Sequence, residues 1–276
     1  MKKTKTLILL AGLVPLLASC GKASNKFCLA LGGEGVPVGQ YASKILEYFK
    51  LDEVELAKKG LITYGSNVKD VTTKVSQNLV SAGIIYQTDA FSAKLKVVDT
   101  ATEEMCGQVI YPAAVINLTN NYDAANSFLS YLQGEEALTV FEGVGFSRVN
   151  SAKEEVEQVK DSVTLKIFAA ASLTETLNEI KDKYEAKHSN ITLEMNFGSS
   201  GALQKQIESA GKGDCDIFIS AAQTQMNNLE NANLVHTETR VNLLENKVAL
   251  AVPNGNPFNI TSFTVLKEKL LSELEK

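Results

Sequence analysis

The chain has 276 residues, 45% of them hydrophobic and 21% charged, with a formal net charge of -5 at pH 7. That length and apolar content supply a sizeable core in one or two domains, and the acidic balance excludes a nucleic-acid binder, because no basic face is there to neutralise phosphates. Lys2, Lys3 and Lys5 lie at the N-terminus, so the remainder is more acidic still, and an anionic ligand would be held by local dipoles.

Residues 1–20 read as an export signal: a basic Met1-Lys-Lys-Thr-Lys5, an apolar run over 7–18, and Leu17-Ala-Ser-Cys20. The run falls short of the ~20 residues that span a bilayer. A cysteine directly after Leu-Ala-Ser is similar to a bacterial lipobox. Cys20 is therefore expected to be lipidated, with residues 21–25 as a polar tether on the outer face of the cell membrane. Cys28, Cys106 and Cys215 lack CxxC or metal-ligand spacing. A Cys28–Cys106 bridge is open to them in an oxidising compartment, and buried free thiols fit them better. His188 and His236 stand alone, and no transition-metal site is visible.

Beyond the tether, short apolar runs alternate with amphipathic stretches, the rhythm of a mostly parallel α/β sheet. Residues 27–31 predict a strand, followed by a glycine-rich turn and a helix with Tyr41, Ile45 and Phe49 on one face. Residues 61–64 predict a strand, and Val68, Val71, Val75 and Leu79 mark the next helix. Further strands are expected at 83–86, 96–98 and 109–116, then a helix through Ala125, Phe128, Leu129 and Leu132. The charged stretch 150–162 breaks the pattern as a solvated linker. The rhythm restarts with a strand at 165–168 and a helix through Leu173, Leu177, Ile180 and Tyr184. A strand at 191–197 leads to a helix with Leu203 and Ile207, and strands are expected at 216–220 and 247–252.

Four strand-to-helix junctions share one design. Ala171-Ser172 opens one helix and Gly198-Ser-Ser-Gly201 another; Val36-Pro-Val-Gly39 has Pro37 suited to a first turn, and Asn67 is a natural N-cap before Val68. Each offers unpaired amides and the positive end of a helix dipole. Any one of them is an ordinary capped helix. Four together, without a Lys or Arg at the turn, point to an anion held by neutral donors, gathered at the carboxyl ends of the strands.

Longer motifs now carry a resemblance. Phe168-Ala-Ala-Ala-Ser-Leu-Thr174, Asn196-Phe-Gly-Ser-Ser-Gly-Ala-Leu-Gln-Lys-Gln-Ile207 and Asp216-Ile-Phe-Ile-Ser-Ala221 resemble the N-terminal half of the molybdate-binding proteins of ABC importers. Leu243-Leu-Glu-Asn-Lys-Val-Ala-Leu-Ala-Val-Pro253 and Ile260-Thr-Ser-Phe263 continue that half. Val36-Pro-Val-Gly-Gln-Tyr-Ala42, Asn67-Val68, Gly83-Ile-Ile-Tyr-Gln-Thr-Asp-Ala90 and Val109-Ile-Tyr-Pro-Ala-Ala-Val115 resemble its C-terminal half. The resemblance implies a two-lobed, periplasmic-binding-protein-like α/β fold with molybdate or tungstate held in the cleft. It implies as ligands Ser172, Ser200, the amides of Val38 and Val68, and the hydroxyl of Tyr86, the last by resemblance alone. The Gly-rich loop before Val38 is one residue shorter than the family's and lacks its Asp-Pro, which makes Val38 the weakest match.

The halves come in reversed order, as in a circular permutation whose linker 150–162 joins the family's usual termini. One lobe is then expected to combine 26–117 with 246–276, the other to comprise 118–245, and Lys276 to lie near Lys26. The expected role is a monomeric extracytoplasmic lipoprotein that delivers the oxyanion to a membrane permease, without catalysis, cofactor or metal other than the bound oxyanion. Alternatives are a binder of another tetrahedral oxyanion such as sulfate, or an extracytoplasmic serine hydrolase using Ser172 or Ser200, for which no G-x-S-x-G and no suitable base is visible.

Overall fold

The structure, a computed structural model, describes residues 26–151 and 161–276. The signal segment with Cys20 and most of the charged linker lie outside the described residues.

Among the described residues eleven strands form two sheets, most of them buried apolar runs, with Lys96–Thr100 and Ser147–Arg148 the more exposed exceptions. The first sheet has the order β2 (Ile62–Gly65), β1 (Leu29–Gly32), β3 (Ala82–Tyr86), β11 (Val248–Val252) and β4 (Lys96–Thr100). Its central strands are buried on both faces, as expected where helices cover a sheet on two sides. The second has the order β6 (Ser147–Arg148), β10 (Val241–Asn246), β5 (Val109–Val115), β9 (Ile217–Ile219), β7 (Val163–Ala170) and β8 (Ile191–Gly198).

Pairing is mixed in both sheets rather than mostly parallel. β1 runs parallel to β2 and β3, and β7 parallel to β8 and β9, which is the expected βα pattern. β11 is antiparallel to β3 and β4, and β5 is antiparallel to β9 and β10. β11 and β5 each follow a change of sheet, so their direction is set by the crossover and not by a βα unit; β6, which follows β5 within the second sheet, is also antiparallel to β10.

The chain passes between the sheets twice, between Thr100 and Val109 and again between Asn246 and Val248. This corrects the expected boundary at 117. The strand 109–115 hydrogen-bonds to β10 and β9, so it belongs to the second lobe, and the first crossover precedes it. A uniformly apolar strand carries no mark of which sheet will take it.

Both ends of the described chain lie on the first lobe. Lys26 Nζ donates to the carbonyl of Lys59 at 3.2 Å, and Lys59 Nζ donates to the carbonyl of Leu274 at 3.3 Å. Cys28, Cys106 and Cys215 are free thiols, the last two buried, so no Cys28–Cys106 bridge forms.

Candidate functional site

The carboxyl ends of β1, β3, β7 and β8 meet across the gap between the lobes. From the first lobe, the helix Pro37–Tyr48 starts after Val36 without a side-chain cap. Pro37 has no N–H, and the amides of Gly39 and Gln40 return to the carbonyl of Val36, so the Val38 amide is the first free donor of that helix. The helix Val68–Ser76 is capped by Asn67, whose side chain accepts from the amide of Asp70 at 3.0 Å. That cap satisfies a deeper donor and leaves the Val68 amide at the open end. Tyr86 ends β3 with its ring buried.

From the second lobe, Ser172 follows β7 in a short 3-10 turn, Ala171–Leu173, and the α-helix proper begins at Thr174. Ser172 thus stands one residue before the helix N-cap, Leu173, and its Oγ lies 3.0 Å from Tyr111 Oη. In the second junction Ser199 is the N-cap, accepting from the amide of Ala202 at 3.3 Å. The neighbouring Ser200, fully buried, instead accepts from the amide of Ala221 at 3.0 Å. With Ser199 as the cap, the Ser200 oxygen is left to accept from Ala221 and not from its own helix end.

All five residues singled out in the sequence, Ser172, Ser200, Val38, Val68 and Tyr86, line one small cavity. No Lys, Arg, Asp or Glu is among the lining residues. The enclosed space is on the scale of one water-sized sphere, so it suits an ion or a few-atom solute and not a drug-sized ligand.

The lobes are shut on this cavity. Gly201 donates its amide to the carbonyl of Gly35 at 2.9 Å, and Tyr86 Oη donates to the carbonyl of Ala221 at 3.3 Å. Lys69 adds a third tie, with Nζ 2.6 Å from Glu175 of the second lobe and 3.1 Å from Asp89 of its own. Burial pushes the Asp89 carboxyl up to about 6 against the pull of Lys69. Beyond that ion pair, neither Asp89 oxygen has a hydrogen-bond partner among the described residues. Burial would lower the Lys69 ammonium, but Asp89 and Glu175 outweigh it and hold its pKa up. Tyr86 and Tyr111 are pushed well up by burial and stay protonated.

Tyr111, Asn246 and the Lys69–Glu175 pair were not found from the sequence. A buried tyrosine hydroxyl demands a partner, and that is the one signal Tyr111 carries. Its partners, 61 and 135 positions away, are visible only in the fold.

Two helix-flanked sheets closing on a small, uncharged, donor-lined cavity define a two-lobed solute-binding protein of the periplasmic-binding-protein kind. The chain belongs to the bacterial extracellular solute-binding protein family, whose sequence model matches residues 22–147 and 165–274. A phosphate-binding protein of a phosphate ABC transporter from Streptococcus pneumoniae TIGR4 shares the fold, with TM-score 0.54 and 14% identity over 90% of this chain and 96% of that one. A protein of Bacillus subtilis (strain 168) named as an ABC transporter substrate-binding lipoprotein is 40% identical over 132 residues, 48% of this chain and 49% of its own. The molybdate-binding protein ModA of Escherichia coli (strain K12) is 35% identical over 121 residues, 43% and 46% of the two chains. In each case the matched segment spans about half the length of the curated relative.

Proposed function

We propose that the chain is the substrate-binding component of an ABC importer, anchored through a lipidated Cys20, which captures molybdate or tungstate and hands it to a membrane permease. In this reading Ser172, Ser200, Tyr86 and the amides of Val38 and Val68 hold the oxyanion; the protein is a monomer, needs no cofactor and catalyses nothing. The observation that carries it is that five residues with neutral polar groups, from both lobes, line one small cavity without a charged lining residue; the Tyr86 hydroxyl, which donates to the Ala221 carbonyl in this structure, would turn to the ligand on binding. Hydroxyls and amides replace the hydration shell of an anion without a counter-charge, and helix ends add favourable field. The half-length similarity to a molybdate-binding protein supports the choice of ligand.

The serine hydrolase alternative has no such support. Ser172 pairs with the Tyr111 hydroxyl and Ser200 with the Ala221 amide, where a nucleophile would need a base. Sulfate differs from molybdate in size, and the cavity is tested against it directly.

The reversed order of the halves is a circular permutation in this reading. The meeting of both described ends at Lys59 supports it.

Calorimetric titration with molybdate, tungstate, sulfate and phosphate tests the proposal. Tight molybdate or tungstate binding is expected. Ser172→Ala and Ser200→Ala are each expected to cost about 1–3 kcal/mol through a lost donor to a buried charge. Tight sulfate binding with weak molybdate binding would overturn the choice of ligand, and unchanged affinity in both variants would overturn the site.

A further inference from the structure

Behind Ser172 runs a chain of buried hydroxyl and amide groups, and its polarity can be read from one end. The backbone amide of Lys247, which can only donate, lies 2.8 Å from one terminal atom of the Asn246 side chain. That atom is therefore Oδ1, and the other is the amide nitrogen. Asn246 Nδ2 donates to Thr88 Oγ1 at 2.9 Å and to Tyr111 Oη at 3.2 Å, all three groups being buried. Having accepted from Asn246, the fully buried Tyr111 hydroxyl has one proton left to place, and Ser172 Oγ at 3.0 Å is there to accept it. The other hydroxyl against Tyr111, that of Tyr86, gives its own proton to the Ala221 carbonyl, and giving the Tyr111 proton to Ser172 avoids an unpaired buried donor, which costs more than a hydrogen bond returns.

We propose that Tyr111 is a positioning residue for the oxyanion site: oriented by Asn246, it donates to Ser172 and so commits the Ser172 proton to the ligand. Ser200 reaches the same state by a different route, because its Oγ accepts from the Ala221 amide. Both serines then present donors only, as an anion with no proton to give requires. Asn246 closes β10 at the second crossover, and Thr88 belongs to the first lobe, so the orienting group sits where the lobes join.

This inference rests on the oxyanion reading, and a double-mutant cycle separates the two. Molybdate affinity of the purified protein is measured for the unsubstituted chain, Tyr111→Phe, Ser172→Ala and the double variant. Tyr111→Phe keeps the ring and removes only the hydroxyl. It is expected to weaken binding about tenfold in the unsubstituted chain, the scale of one hydrogen bond to a charged system, and less than about twofold once Ser172 is alanine. A residue that merely supports the fold would cost the same in both backgrounds, and that outcome overturns the positioning role. So does an unchanged affinity for Tyr111→Phe alone. Asn246→Ala gives a second handle, which serves if Tyr111→Phe does not fold: it leaves both hydroxyls in place but frees Tyr111 to accept. A loss of about fivefold that vanishes in the Ser172→Ala background supports the network, and a loss that persists there overturns it. If the unsubstituted protein fails to bind molybdate, the oxyanion reading itself falls, and this inference with it.

Discussion

Gly201 offers a perturbation in which stability and binding are expected to move in opposite directions. It occupies the first turn of the helix Ser200–Glu208 and faces Gly35 of the other lobe. A Cβ added at Gly201 would lie 2.4 Å from the Gly35 carbonyl oxygen, 2.7 Å from its Cα and 2.9 Å from its carbonyl carbon. These neighbours are backbone, at a residue whose φ of +73° already confines it to glycine, so they cannot swing aside. Relieving the overlap requires the lobes to part by about 1 Å there, given ordinary contact distances of ~3.5 Å. The Gly201–Gly35 hydrogen bond is lost, worth about 1 kcal/mol, and the Val38, Val68 and Tyr86 donors retreat from a ligand held by the serines. Three stretched charge-assisted bonds bring the expected loss in binding to roughly 2–4 kcal/mol, some 30- to 1,000-fold in Kd. The open apoprotein has no such clash, and alanine in a helix gains about 0.5–1 kcal/mol over glycine, so its Tm is expected to rise by about 1–4 °C. Calorimetry with molybdate and thermal melts without ligand measure the two quantities on the same sample. An affinity within about threefold of the unsubstituted protein would refute the close approach of the lobes as a requirement for binding.

Other expectations follow from the interlobe contacts. Burial holds the Asp89 carboxyl up to about 6, above its unfolded value near 3.9, so the folded chain grips that proton more tightly. The stabilising contribution is complete below about pH 4 and is lost as pH rises through about 6. Asp89→Asn is therefore expected to flatten the decline in stability over that window by on the order of 2–3 kcal/mol, and parallel pH–Tm curves for the two proteins would contradict the assignment. Glu175→Gln removes the interlobe pair with Lys69 at 2.6 Å, but Glu175 is half exposed, so only about a two- to threefold loss in affinity is expected. That loss fades at high salt, and a salt-independent effect would argue for a role other than charge. Tyr86→Phe removes the hydroxyl that donates to Ala221 across the cleft, and a faster ligand dissociation of about tenfold is expected in stopped-flow exchange.

Much of the candidate site was legible because its elements are local. Val38, Val68, Ser172 and Ser200 each stand a residue or two from a strand end or a helix cap, and proline, asparagine, serine and glycine mark such places by their own backbone chemistry. The strands around β1 and β7 declared themselves as apolar runs bounded by turns, since side-chain burial repeats over a few residues. β10 did not, because Asn242 and Glu245 interrupt its buried Leu243 and Leu244. Several short helices, such as Gln87–Ser92, span too few residues to show a period.

What the sequence by itself determined is therefore the set of junctions and the kind of donor each one offers. Only the tertiary structure decided which sheet claimed the strand 109–115, which way the antiparallel strands run, and that Gly35 meets Gly201 across the cleft. It also decided that Tyr111 stands between Asn246 and Ser172, which turns a buried tyrosine into part of the site. The physical reason is one of range. Capping and periodicity act between neighbours in the chain, whereas sheet assignment and hydroxyl polarity depend on partners many tens of residues away, brought together when the whole core closes.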